Sequence, residues 1–349
     1  MLIQVFSVYF TAILGSFLLS TALVPLIIDF AKKYGILDRP EAASRKIHTE
    51  PIPFLGGWAI YLSSTAVICL MRYFNLADFS RLPWPLFIAI IVAGLIIMIG
   101  GSLDDKFNLK PWQQIFFPLS AIAVSLAFGL KIGFVTNPLS AGGVLLVPQL
   151  LGIILVVLWL LGMMYATKFL DGLDGLVSGI GVIAAGFIFL ISLKWDLALS
   201  ATGIWALAVM GACFGFWLYN RSPARIFLGE GGSVFVGFIL GVLSVVTGSK
   251  VTTTLLVMGF PFLDVLMVVI LRLMNKQSPF KGDRRHLHYR LLDAGFKPFQ
   301  AVWLLYAIAF VFGALSLMSS SWLKIVLVAV MLLLMLSISW FLQVKGSGK

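Results

Sequence analysis

Residues 151–193 read LGIILVVLWLLGMMYATKFLDGLDGLVSGIGVIAAGFIFLISL, two long apolar runs interrupted by Lys168, Asp171 and Asp174. Aspartate is among the residues that a bilayer tolerates least. Two of them, three positions apart at the mouth of an apolar run, mark a membrane surface with something to hold. The rest of the chain repeats this pattern. Its 349 residues are 60% hydrophobic and 11% charged, whereas a soluble domain carries about 25% charged residues. Such a chain cannot cover its surface in water, and it reads as an all-α, polytopic membrane protein.

Runs long enough to cross roughly 30 Å of hydrocarbon lie near 5–28, 55–71, 85–101, 114–130, 144–164, 175–193, 199–218, 232–248, 252–271, 299–318 and 322–342, eleven candidate helices. The first lacks a basic leader and a small-residue cleavage site, so a retained span is expected rather than a signal peptide. Cys69 and Cys213 both sit in apolar segments, which favours packing over a disulfide or a cysteine metal site. The net charge of +11 is first explained by basic residues gathered in cytoplasmic loops, not by a nucleic-acid partner.

Loops numbered by the spans they join divide the 25 Lys and Arg 19 to 6, the odd-numbered loops and the carboxyl tail holding the larger share. The odd side is therefore expected to be cytoplasmic, with the amino terminus outside and the carboxyl terminus inside. Acids are the sharper test, because this rule does not sort them. Of fourteen, only Asp78 and Asp196 fall on the outer side, and Asp264 lies within the ninth span. The rest, with all three histidines, crowd the cytoplasmic side. An active site at that face is expected.

Six polar stretches carry the chemistry. In RKIHTEPIPFLGG (45–57), Lys46 and His48 precede a Pro-x-Pro bend and a glycine pair that admits close backbones; an ordinary basic juxtamembrane loop would look the same. In GGSLDDKFNLKPWQQ (100–114), Asp104 and Asp105 are adjacent, so on a helix they point about 100° apart. One can then hold Mg²⁺ while the other orients a ligand or takes a proton, although a turn with two solvated aspartates needs neither role. In DGLDGL, a helical reading puts Asp171 and Asp174 on one face, against the plainer view of a glycine-rich helix start with acids near its positive dipole end. RIFLGEGGSVFVG (225–237) sets Glu230 among glycines at a helix start, with free amides suited to a phosphate–metal complex, or with the acid as a cap.

GFPFLDVLMVVILR (259–272) places Asp264 about 12 Å deep, counted back from Arg272 at 1.5 Å per residue. That is a functional position or a buried acid bonded to a neighbouring helix. SPFKGDRRHLHYRLLDAGF (278–296) gathers Arg284, Arg285, His286, His288 and Arg290. Arginine forks grip phosphate, while attraction to anionic lipid explains the cations but not the histidines. Carboxylates for Mg²⁺ and a cationic clamp at one membrane face describe phosphoryl transfer. The membrane setting implies that one reactant is a lipid.

In family order, RKIHTEPIP-x-x-GG, LDD, DGLDGL, FLGEGGS and DRRHLHYRLL resemble the motifs of the polyprenyl-phosphate N-acetylhexosamine-1-phosphate transferases, glycosyltransferase family 4, in the branch that uses UDP-GlcNAc and undecaprenyl phosphate. The resemblance covers nearly the whole chain and implies a single integral membrane transferase domain over 1–349, in the cytoplasmic (inner) membrane. It implies a Mg²⁺-dependent transferase, Mn²⁺ being the alternative ion. Polyprenyl phosphate attacks the β-phosphorus of a UDP-N-acetylhexosamine and UMP leaves, initiating a cell-envelope glycan.

Within that resemblance Asp104 and Asp105 match the pair that orients or deprotonates the lipid phosphate and binds Mg²⁺, and Glu230 matches the other metal-binding acid. Asp171 and Asp174 shape the nucleotide and metal pocket. Lys46, beside His48, matches a phosphate-contacting lysine, and His286, His288 and the arginines hold pyrophosphate or sugar. Lys168 and Asp264 join the substrate-binding set. Three positions depart from the family pattern. Lys168 replaces Asn, where a cation competes with Mg²⁺ or contacts phosphate; Glu230 replaces Asp; Tyr289 replaces the last histidine of His-x-His-His.

Other readings predict other features. A transporter or flippase calls for charges at the midplane and repeated halves, a CDP-alcohol phosphotransferase for an Ala-Arg after its Asp-Gly, and an intramembrane metalloprotease for His-Glu-x-x-His. A homologue that binds lipid phosphate without turnover fits the departures at Lys168 and Tyr289. Eleven spans leave surface for a homodimer, which no residue pattern specifies.

Overall fold

The computed structural model describes residues 2–39, 50–137, 143–195, 199–247, 251–274 and 286–346. In chain order these form α1 (Leu2–Tyr34), the strand pair β1 (Leu37–Asp38) and β2 (Ile52–Pro53), α2 (Gly57–Tyr73), α3 (Trp84–Phe107), α4 (Pro111–Gln114) and α5 (Phe116–Ala127). A second strand pair follows, β3 (Phe134–Thr136) and β4 (Val144–Leu146), then α6 (Gln149–Leu170), α7 (Leu176–Trp195), α8 (Ala201–Asn220) and α9 (Gly229–Val246). The chain continues with α10 (Val251–Val257), α11 (Gly259–Met274), α12 (Leu287–Asp293), α13 (Pro298–Met318) and α14 (Ser321–Gly346). Both strand pairs are antiparallel, with Leu37 opposite Pro53 and Phe134 opposite Leu146.

The fold is all-α, and each expected span overlaps helix, although the run expected at 144–164 opens in β4 and becomes helical only at Gln149. Among the described residues seven helices are long and apolar enough to cross a membrane: α1, α3, α6, α7, α8, α9 and α13. The other expected spans fall on shorter or interrupted helices. The expected run 252–271 is broken between α10 and α11 at Met258. Pro261 has no N–H to return to residue 257, and Gly259 lies where a Cβ would meet the Met331 side chain of α14.

Helix ends follow from local chemistry. Pro85 and Pro298 sit in the first turns of α3 and α13, where a missing donor costs nothing. Asn108 closes α3 in the left-handed conformation, its N–H returning to the Asp104 carbonyl. The Ser200 hydroxyl accepts the Gly203 N–H (3.2 Å) at the start of α8.

Most buried apolar side chains between Ala12 and Met335 make one core, and Ala31, Ile36 and Leu55 form a small second cluster. At its centre α9 packs against α3, α6, α7 and α2, and nearly all of its residues are buried, as befits a helix apolar on every face. By contrast α1 exposes Ile3, Phe6, Phe10, Leu14 and Leu18 along one flank, a surface made for lipid.

Candidate functional site

The carboxyl ends of α3 and α6 and the amino ends of α2, α7 and α9 gather at one end of this bundle, and glycines set their spacing. Close helix approach in a membrane uses small residues. Here Gly57 lies against the Gly232 backbone and Gly101 against that of Gly231. Gly229 adopts φ +75, which an L side chain resists, and a Cβ there would also meet the Asp105 carboxylate. The approach delivers the Glu230 N–H to Asp105 Oδ1 at 3.0 Å. The amides at this helix start are thus not all free: one is given to an acid on another helix.

The adjacent aspartates of α3 diverge as helical geometry requires. Asp104 Oδ1 accepts the Leu109 N–H (2.7 Å) and a Gln114 Nε2–H (3.1 Å), while Asp105 faces α9. Gln114 Oε1 in turn accepts from Lys168 Nζ at 3.0 Å, and Lys168 is ion-paired with Glu230. Asp104, Gln114, Lys168, Glu230 and Asp105 therefore form one chain of contacts across α3, α4, α6 and α9. Asp105 also lies within electrostatic reach of Asp104 and Asp171. The sequence reading singled out every member except Gln114. Its signal, a polar pair ending KPWQQ directly after the aspartates, is weak because glutamine is common at surfaces.

The segment carrying Asp171 and Asp174 is not helical. α6 ends at Leu170 and α7 begins at Leu176, with Gly172 in the turn between them and Gly175 at φ +78. The two acids consequently share no helical face. Asp171 keeps an exposed side yet lies among protein atoms and within electrostatic reach of Asp105, Glu230 and Asp174. Loss of water, then repulsion from Glu230 and Asp174, pushes its carboxyl up to about 7. Asp174 turns away and accepts the Ala224 N–H (3.1 Å) through Oδ2. Asn220, unforeseen from sequence as a lone polar residue ending α8, accepts from the Gly175 N–H (3.2 Å) and donates to the Ile226 carbonyl (2.9 Å). Tyr306 of α13 donates to the Gly175 carbonyl and accepts from Trp217 Nε1 (3.1 Å). These contacts clamp the loop from α8, α13 and the segment after α8.

α12 closes that clamp. Asp264, buried within α11, accepts the Leu287 N–H (2.9 Å) through Oδ1 and pairs through Oδ2 with His286 Nδ1 (2.8 Å). Its depth is thereby matched by protein partners. His286 stacks on Phe169 and lies parallel to His288 (7° between planes, centroids 5.9 Å apart). His288 Nε2 abuts Gly172, as does the Tyr289 hydroxyl; among the described residues that nitrogen has no hydrogen-bond partner. Arg290 follows in the same short helix. Lys46, His48, Arg284 and Arg285 lie outside the described residues.

Burial, followed by repulsion from His286, lowers the His288 imidazole from 6.5 to about 3. Between those values the unfolded chain binds a proton that the folded chain refuses, so stability falls as pH drops. From pH 6.5 to 5 the loss is about 2 kcal/mol. Thermal unfolding in detergent across that window should show the wild-type midpoint falling more steeply than that of His288→Gln. Parallel slopes would remove His288 from the acid response.

Chemically, Asp105 and Glu230 offer hard oxygen donors of the kind Mg²⁺ prefers, and Mg²⁺ takes one or two carboxylates while keeping waters and phosphate oxygens. Among the described residues no three such side chains stand at ligand distance.

Residues 87–248 match the model of glycosyl transferase family 4, a stretch that contains Asp104, Asp105, Lys168, Asp171, Asp174 and Glu230. The chain is 29% identical over 337 residues to the probable undecaprenyl-phosphate N-acetylglucosaminyl 1-phosphate transferase of Bacillus subtilis, covering 93% of this chain and 89% of that protein. It is 28% identical over 299 residues to the decaprenyl-phosphate N-acetylglucosaminephosphotransferase of Mycolicibacterium smegmatis, covering 79% and 73%. Against the undecaprenyl-phosphate alpha-N-acetylglucosaminyl 1-phosphate transferase of Escherichia coli K12 it is 28% identical over 302 residues, covering 83% and 78%.

Proposed function

We propose that this chain, which belongs to glycosyl transferase family 4, transfers N-acetylglucosamine 1-phosphate from UDP-GlcNAc to a polyprenyl phosphate and releases UMP. The observation that carries this reading is the junction of α3 and α9, where Asp105 and Glu230 meet at the end of membrane helices with Asp104 and Asp171 beside them. A lipid phosphate held at the membrane surface and a nucleotide sugar beside it would both reach these acids.

The nucleophile is a phosphate monoester with a second pKa near 6, largely ionised at neutral pH. Charge neutralisation and alignment then matter more than a strong base. Asp105 and Glu230 would hold Mg²⁺, which would supply positive charge against the pyrophosphate oxygens. Asp171, within electrostatic reach of Asp105 and Glu230, would take the residual proton of the monoester at a carboxylate oxygen. Asp104, fixed by Leu109 and Gln114, orients the lipid phosphate. The loop at 171–175 and α12 wall the nucleotide side, where Arg290 supplies a charged contact and the buried His288 backs the loop at Gly172. The face bearing the site is cytoplasmic on the distribution of charged loops, which puts the amino terminus outside.

The test is UMP release by purified protein in detergent with undecaprenyl phosphate, Mg²⁺ and UDP-GlcNAc, and UDP-GalNAc in parallel. Release that requires both lipid and metal is the expected result, and the preferred donor identifies the sugar. Folded protein that releases no UMP from either donor would leave a lipid-phosphate binder without turnover.

A further inference from the structure

Lys168 brings an ammonium into a cluster of acids, and the contacts it makes there are specific. From the last turn of α6 its Nζ pairs with Glu230 and donates to Gln114 Oε1 at 3.0 Å. The Gln114 amide nitrogen is simultaneously held by Asp104 Oδ1 at 3.1 Å. Two of the three ammonium donors thus reach, directly or through one amide, acids on two different helices. The lysine side chain is only 16% exposed, and Nζ stands 5.5 Å from the Tyr165 ring centroid, inside cation–π range. A long flexible side chain has been fixed at a site where divalent charge is expected.

An ammonium and a divalent cation seek the same Glu230 oxygens, and a protonated amine cannot ligate a metal. The geometry points to Lys168 as a built-in counter-ion that competes with the divalent cation for Glu230 and so sets the affinity of the site. It rests on the phosphotransferase reading above for the presence of a cation site. With no metal bound, Lys168 neutralises the acids and the bundle end stays closed by the Lys168–Glu230 and Lys168–Gln114 contacts. When a cation enters, the ammonium leaves Glu230 and its charge is freed for anionic ligand oxygens nearby.

The probe is Mn²⁺ alone, titrated into purified full-length protein in detergent without lipid or nucleotide, and followed by the paramagnetic resonance of free ion and by thermal unfolding. Lys168→Gln should bind Mn²⁺ at least about ten-fold more tightly than wild type, melt lower without metal and gain more from it. Lys168→Arg, which keeps the charge, should stay within about three-fold of wild type. On the wild-type protein, saturating Mn²⁺ should raise the rate of reductive methylation at Lys168, read by mass spectrometry, at least about three-fold. That arm needs no variant to fold. Equal Mn²⁺ affinity in a folded Lys168→Gln, or a methylation rate unmoved by bound Mn²⁺, overturns the competition and leaves the transferase reading standing. No Mn²⁺ binding to wild type or Lys168→Gln overturns it together with the metal part of that reading.

Discussion

Asp105→Asn should lower the rate of UMP release by about 10³-fold while leaving the protein folded. Asparagine is nearly the shape of aspartate, and its Oδ1 can still accept the Glu230 N–H that Asp105 accepts at 3.0 Å. The contact between α3 and α9 therefore survives. What disappears is the negative charge that, with Glu230, would hold a cation against the pyrophosphate. In place of Oδ2 stands an NH₂ group, a donor that cannot ligate a cation. The measurement is kcat with saturating donor and lipid, alongside the thermal midpoint. A folded variant with kcat within ten-fold of wild type would take Asp105 out of the chemistry.

Gly101→Ala should cost about 3 kcal/mol of stability and about 10² in rate, although it adds one methyl and removes no polar group. The added Cβ would collide with the backbone nitrogen and Cα of Gly231. Backbone atoms cannot rotate aside as a side chain can, so α3 and α9 must part. Parting them by even 1 Å lengthens the Glu230-to-Asp105 hydrogen bond past its useful range. Gly133→Ala is the matched control: a Cβ there meets nothing within 4 Å. Thermal unfolding and UMP release of the two variants decide the matter. If Gly101→Ala behaves like Gly133→Ala, the glycine contact does not set the geometry of the acids.

Much of the candidate site's clustering was legible in the chain because membrane burial simplifies the reading. Charged residues are excluded from apolar spans, so those that remain collect at span ends, and Asp104, Asp105, Lys168, Asp171 and Glu230 do meet at one end of the bundle. The divergence of Asp104 and Asp105 follows from 100° per helical residue and needed no tertiary information. Less legible was the conformation of residues 171–175. An i, i+3 spacing of aspartates suits a helix, but Gly175 at positive φ and the carbonyl contact with Tyr306 favour a turn. Asn220, Tyr306 and Trp217 gave no signal, since each acts on a loop far away in sequence.

By itself the sequence determined that this is a helical membrane protein with its acids and histidines massed at the ends of apolar runs. Composition and run length are enough for that, because a bilayer admits only backbone that satisfies its own hydrogen bonds. The tertiary structure alone decided which polar groups find one another. Lys168 pairs with Glu230, Gln114 bridges Lys168 to Asp104, and Asp264 holds His286 and the Leu287 amide. Such pairings depend on a few ångströms of reach between separate helices. That reach is set by how closely glycine-lined backbones pack, as at Gly57 with Gly232 and Gly101 with Gly231, and no local pattern of residues encodes it.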